Sequence, residues 1–142
     1  NQIKIILPHD VVCSKEMSDE ASWRLSTIDN LGADEAGFDI GPETVLKFEL
    51  ILSTANTIIW NGPLGVSEIP IFSTGTQSIA SIVRNRTEKG AITIIGGGDT
   101  VSSLKQSGIQ ESFTHISTGG GASLQLLSGK ILPAFEALKE YA

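Results

Sequence analysis

The sequence has little that would assign a chain of 142 residues to a special class. Its single cysteine, Cys13, excludes an internal disulfide and a multi-cysteine metal site, and fits a reducing compartment such as the cytoplasm. Basic residues are scarce, ten Lys and Arg against sixteen Asp and Glu for a net charge of −6, and the only basic grouping is Arg84, Arg86 and Lys89. That balance disfavours nucleic acid and an anionic membrane as partners, so any bound anion must be held by local donors. No apolar run approaches the ~18 residues of a membrane span. The opening Asn1-Gln2-Ile3-Lys4 does not read as a signal peptide, and the absence of an initiator Met fits a fragment. There is no Walker A lysine, no G-x-G-x-x-G fingerprint, no Ser-His-Asp arrangement and no low-complexity tract.

The length is that of about one domain, enough for a real core. Short apolar runs alternate with segments of helical spacing. Residues 3–7 read as a strand stopped by Pro8, and residues 9–13 either extend it or begin another. Residues 14–30 are polar and mixed, with Trp23 and Ile28 as anchors, and fit strand or loop equally. Residues 32–41 are glycine- and acid-rich and read as a loop. Pro42 and Glu43 open a helix over 42–55, proline being tolerated in the first turn and the acid favoured there.

Further strands are expected at 57–60, 92–95 and 112–117, and helices at 76–85, from Asp99 to about 106, at 122–127 and at 133–141. The 92–95 strand reads as buried on both faces. Trp60 and Phe72 read as core, His9 and His115 as satisfied structural residues. Together these give an α/β class with a parallel sheet, whose ligands sit beyond the carboxyl ends of the strands.

Three loops fall at such ends: Asn61-Gly62-Pro63, Gly96-Gly97-Gly98-Asp99-Thr100 and Thr118-Gly119-Gly120-Gly121. A glycine turn that opens a helix presents unpaired N–H groups at the positive end of the dipole, which suits an anion. Asp99 contradicts a bare phosphate site. It is either an N-terminal helix cap or a carboxylate reaching phosphate through a cation, and one carboxylate suffices for a nucleotide-bound Mg²⁺. Glu68 on its own reads as solvated.

Trp60-Asn61-Gly62-Pro63-Leu64-Gly65-Val66, Ile94-Ile95-Gly96-Gly97-Gly98-Asp99-Thr100 and His115-Ile116-Ser117-Thr118-Gly119-Gly120-Gly121-Ala122-Ser123, taken in order, strongly resemble the phosphoglycerate kinase family. Asp39-Ile40-Gly41-Pro42-Glu43-Thr44 and Gly129-Lys130-Ile131-Leu132-Pro133 fit the same pattern. The resemblance covers nearly all of the chain but only the later part of that enzyme's nucleotide-binding lobe. It implies a Rossmann-like three-layer α/β/α fold with a mainly parallel sheet, residues 1–142 forming a single partial domain.

The resemblance further implies a glycolytic phosphotransferase acting between 1,3-bisphosphoglycerate and Mg-ADP to give 3-phosphoglycerate and Mg-ATP, cytoplasmic and usually monomeric at full length. Gly37 and Phe38 would border the adenine, and Asn61, Pro63, Gly65 and Val66 would line the adenosine and phosphate path. Glu68 would bond the ribose hydroxyls. Gly97, Gly98, Asp99 and Thr100 would take the phosphates, with Asp99 holding Mg²⁺ through them. Gly98, Gly120 and Gly121 would serve the transferring phosphoryl group.

Two substitutions depart from the pattern, Phe38 for the usual Leu and Ser67 for a Phe before Glu68. The family's Gly-Gly-Ala-Lys segment and glycerate-binding lobe are absent from this sequence, which implies negligible turnover by the chain alone. A second reading is a structural piece that binds no nucleotide and self-associates through an exposed sheet edge.

Overall fold

The computed structural model describes residues 3–109 and 112–139. A first, antiparallel sheet has the order β2-β1-β3, from β1 (Asp10–Ser14), β2 (Trp23–Thr27) and β3 (Ala36–Ile40). Helix α1 (Pro42–Leu52) leads into a second, parallel sheet of order β4-β5-β6, made of β4 (Thr57–Asn61), β5 (Ile92–Gly96) and β6 (His115–Ser117). Helices α2 (Thr74–Glu88) and α3 (Gly98–Gln106) make the crossovers, and α4 (Gly120–Leu127) and α5 (Pro133–Lys139) follow. The α/β class and the parallel sheet agree with the sequence reading.

The core explains the arrangement. Ile58 and Trp60 of β4 and Ile95 of β5 lie on one face of the parallel sheet, against Ile79, Ala80 and Val83 of α2 and Val101 and Leu104 of α3. Ile40 of β3 joins the same cluster and ties the antiparallel sheet to it. Trp60 and Phe72 are buried as expected. β5 is not buried on both faces, because Ile92 is 52% exposed, and Ile59 of β4 is 47% exposed. Apolar alternation therefore reads through β4, with Ile58 and Trp60 inward and Ile59 outward.

Several local expectations fail for physical reasons. Residues 3–7 form no strand. Ile3, Ile5 and Leu7 are exposed, and no described neighbour offers them a ladder. The next strand starts at Asp10, and residues 23–27 are its hairpin partner, in register from Asp10–Thr27 to Ser14–Trp23. Trp23 and Ile28 are no anchors, at 53% and 44% exposed. The supposed loop at 32–41 contains β3, held by β1 across an irregularity between Val12 and Cys13.

Helix α1 stops at Leu52 rather than Ala55, and β6 begins at His115 rather than Ser112. Helices α2 and α4 start two residues earlier than read, and α2 runs on to Glu88 before Gly90 turns at φ 92°. The end of the last expected helix, 140–141, lies outside the described residues. Both histidines are exposed, and His9 Nε2 lies 3.5 Å from Glu43 Oε2.

Candidate nucleotide site at the carboxyl edge of the parallel sheet

Because β4, β5 and β6 are parallel neighbours, their carboxyl ends share one edge, and the three glycine-bearing loops meet there. The Gly62 N–H donates to Thr100 Oγ1 at 2.8 Å, joining the loop after β4 to the first turn of α3. Trp60 Nε1 donates to the Gly62 carbonyl at 2.6 Å and steadies the same turn. Gly97, at φ 95°, occupies a conformation that a side chain would strain, and a Cβ there would lie 2.7 Å from Asn61 Oδ1. Gly120 packs backbone to backbone on Gly97: a Cβ on it would stand 2.7 Å from Gly97 Cα and 3.2 Å from Asn61 Oδ1.

The N-termini of α3 and α4 are thus brought together around Asn61, and neither receives a side-chain cap. The first-turn N–H groups of a helix lack intrahelical partners and its dipole favours negative charge there, and here two such ends lie side by side, as the Gly120–Gly97 approach shows. Asp99 is the second residue of α3, exposed, and is not the helix cap, a position that falls to Gly97. Thr100 behind it is fully buried. Gly98 and Gly121 are exposed, with nothing within 4 Å of a Cβ. Among the described residues no three His, Cys, Asp or Glu side chains group to hold a metal ion. A lone exposed carboxylate beside two uncapped helix ends fits a Mg²⁺ that arrives with phosphates, since that ion keeps most of its waters and needs one or two carboxylates.

The remaining expected residues lie along a path away from this point. Val66 N–H donates to the Phe38 carbonyl at 2.9 Å, so the loop after Pro63 runs against β3, where Gly37 packs on Val11. The Phe38 ring meets Phe72 with centroids 5.0 Å apart. Glu68 is exposed and lines, with Thr76, Gln77, Ser103 and Gln106, a cleft of about 410 Å³ between α2 and α3. Asn61, Gly97, Thr100 and Gly120 therefore form one cluster, Gly37, Phe38, Gly65 and Val66 a second joined to it by the loop, and Glu68 stands on a third surface.

Two buried aspartates, Asp10 and Asp39, have roles that the sequence does not signal. Asp10 of β1 accepts from the Thr44 and Glu43 N–H groups at 2.7 and 3.1 Å and from the Thr44 hydroxyl at 2.6 Å, so a strand residue caps α1. Burial pushes the Asp10 carboxyl up, but these donors outweigh it and its pKa is lowered. Asp39 of β3 does the same for α2, accepting from Gly75 N–H at 2.7 Å and from Ile40 N–H at 2.9 Å. There burial wins, raising Asp39 to about 6 against the two hydrogen bonds. The one available signal was that α1 starts at Gly41-Pro42 with no local Ser, Thr, Asp or Asn cap.

The phosphoglycerate kinase family model matches residues 1–130. The chain belongs to the phosphoglycerate kinase family. It is 46% identical over 138 residues to the chloroplastic phosphoglycerate kinase of Volvox carteri, covering 97% of this chain and 30% of that protein. The Finegoldia magna phosphoglycerate kinase is 48% identical over 139 residues, again 97% of this chain and 34% of the relative. Among solved structures, that of phosphoglycerate kinase from Coxiella burnetii superposes with a TM-score of 0.84 at 40% identity, over 92% of this chain and 33% of that one. The Pyrococcus horikoshii phosphoglycerate kinase gives a TM-score of 0.76 at 31% identity, over 93% and 32% of the two chains. The chain thus spans about a third of the length of the phosphoglycerate kinases it matches. Among the described residues no helix is long and apolar enough to cross a membrane.

Proposed function

We propose that this chain is a single partial domain carrying the phosphate half of a Mg-ADP/Mg-ATP site. In this reading it belongs to a cytoplasmic glycolytic phosphotransferase acting between 1,3-bisphosphoglycerate and ADP. The observation that carries the reading is the meeting of two uncapped helix N-termini, those of α3 and α4, around Asn61 with Asp99 beside them. Amides of Gly97, Gly98, Asp99 and Thr100 bind the nucleotide phosphates, and amides of Gly120 and Gly121 face the phosphoryl group that moves. Bound Mg²⁺ supplies charge neutralisation on the phosphate oxygens, and Asp99 is the residue that holds it. Phosphoryl transfer relies on positioning and on stabilising the equatorial oxygens, and fixed amides give both without reorganising.

Gly37 and Phe38 border the base, Asn61, Pro63, Gly65 and Val66 line the path between, and Glu68 takes the ribose hydroxyls. The basic grouping of Arg84, Arg86 and Lys89 lies at the end of α2 that leads into the amino end of β5, away from the glycine loops, so in this reading the glycerate substrates need protein outside this chain and turnover by the chain alone is negligible. Isothermal calorimetry tests the reading: ADP binds saturably in the presence of Mg²⁺ and Asp99→Ala weakens it, whereas no heat and no rise in melting temperature would reject retained binding. One observation favours a second reading, a non-binding structural piece that self-associates through an exposed sheet edge: among the described residues β4 is an edge strand of the parallel sheet, and Ile59 on it is half-exposed. A compact monomer in sedimentation would exclude it.

A further inference from the structure

Asp39 is a titratable group only 3% exposed. Its surroundings give it more than a capping task. Its Oδ2 accepts from Gly75 N–H at 2.7 Å in the first turn of α2, whose own N-cap residue, Ser73, makes no side-chain cap. The next residue, Thr76, is buried and its Oγ1 accepts from the N–H groups of Leu64 and Gly65 at 3.0 and 3.2 Å. The residue before Asp39, Phe38, accepts from Val66 N–H at 2.9 Å. A Cβ on Gly65 would collide with Asp39 Oδ1 and with the Phe72 carbonyl, so the loop backbone leans on the carboxylate itself. Leu64 and Gly65 are therefore held by Thr76, next to the Gly75 that Asp39 binds, and Val66 by Phe38, next to Asp39 itself.

We propose that Asp39 is a positioning residue for the nucleotide loop, its carboxylate locking β3 and the first turn of α2 so that residues 64–66 keep the shape that meets the nucleotide. The proposal rests on the reading of Gly65 and Val66 as nucleotide contacts. Asp10 is its internal control: it caps α1 in the same way, but its donors on Glu43 and Thr44 have no bond to residues 64–66. A carboxylate that only stabilised its helix would behave as Asp10 does. The protonation of Asp39 is set by burial and by its two N–H donors, with no charged side chain of β1, the loop or α2 contributing.

The test compares Asp39→Asn with Asp10→Asn in the full chain by amide NMR, hydrogen exchange and ADP calorimetry with Mg²⁺. In Asp39→Asn the amides of Leu64, Gly65 and Val66 shift and exchange at least about tenfold faster, and ADP binds about three- to tenfold more weakly, as expected for a charge-assisted bond made neutral. Asp10→Asn leaves those amides and the ADP affinity unchanged. Loop amides unaltered in Asp39→Asn, or moved equally in Asp10→Asn, would overturn the proposal. Should Asp39→Asn not fold, a pH titration of the unmodified chain decides: the Gly75, Gly65 and Val66 amides share one midpoint near 6, the carboxyl's own, and flat Gly65 and Val66 signals would overturn it. Absence of ADP binding by the unmodified chain, with the loop effect present, would reject the nucleotide role alone and so separate the two readings.

Discussion

Gly120→Ala isolates the contact on which the site depends. Its Cβ would stand 2.7 Å from Gly97 Cα and 2.8 Å from Gly97 N, both main-chain atoms at the head of α3. Neither can swing aside as a side-chain tip would, so α4 must withdraw by roughly half an ångström or more to restore ordinary contact. Overpacking of this kind costs about 1–3 kcal/mol. Glycine elsewhere in a helix would gain something on change to alanine, which sets the comparison. Gly121, one residue on, has nothing within 4 Å of its Cβ position and no positive φ, so Gly121→Ala should be neutral or stabilising by up to about 1 kcal/mol. Urea melts of the two variants should therefore differ by roughly 1–4 kcal/mol with unchanged slope. Parting the two helix ends should also weaken Mg-ADP binding by about tenfold, the equivalent of one good hydrogen bond to a charged group. Equal stability of Gly120→Ala and Gly121→Ala would refute the close approach of α4 to α3.

Asp99→Ala should abolish the Mg²⁺ dependence of ADP binding in calorimetry while leaving the stability in urea melts within about 0.5 kcal/mol, since the side chain is exposed and caps nothing. Asp10→Ala should cost about 1–3 kcal/mol in urea melts through loss of the α1 cap. Because the Asp10 pKa lies below its unfolded value of 3.8, its contribution is present above that pH and lost as pH falls through the lower folded value. Asp39 has the opposite sign. Its pKa is raised from 3.8 to about 6, so its linkage favours the fold most below 3.8 and that contribution is lost as pH rises through about 6. Urea midpoints of the unmodified chain should therefore fall, relative to Asp39→Asn, across that window.

The parts of the fold that showed in the sequence are those whose signals are local. β4 and β5 are short apolar runs closed by Asn-Gly-Pro and Gly-Gly-Gly, and α2 and α3 carry apolar residues at helical spacing toward the core. β3 did not show, because Ala36, Gly37 and Asp39 have poor strand propensity and its partner, β1, lies far upstream. Residues 3–7 erred the other way, with high propensity and no described ladder to satisfy it. The glycine turns are legible as strand-to-helix turns, because the strand before each and the helical spacing after it are local signals. Asp10 and Asp39 are not legible, because they cap helices whose first turns lie 33 to 36 residues away. No local pattern encodes such a cap.

The proposed site stands or falls on one anion-binding space between the N-termini of α3 and α4. Titrating ADP and Mg²⁺ into isotopically labelled protein and following its amide signals tests it most directly. Saturable shifts should appear at Gly97, Gly98, Asp99, Thr100, Gly120 and Gly121 with a common dissociation constant. Shifts at only one of the two glycine turns, or confined to another surface such as the cleft between α2 and α3, would contradict it.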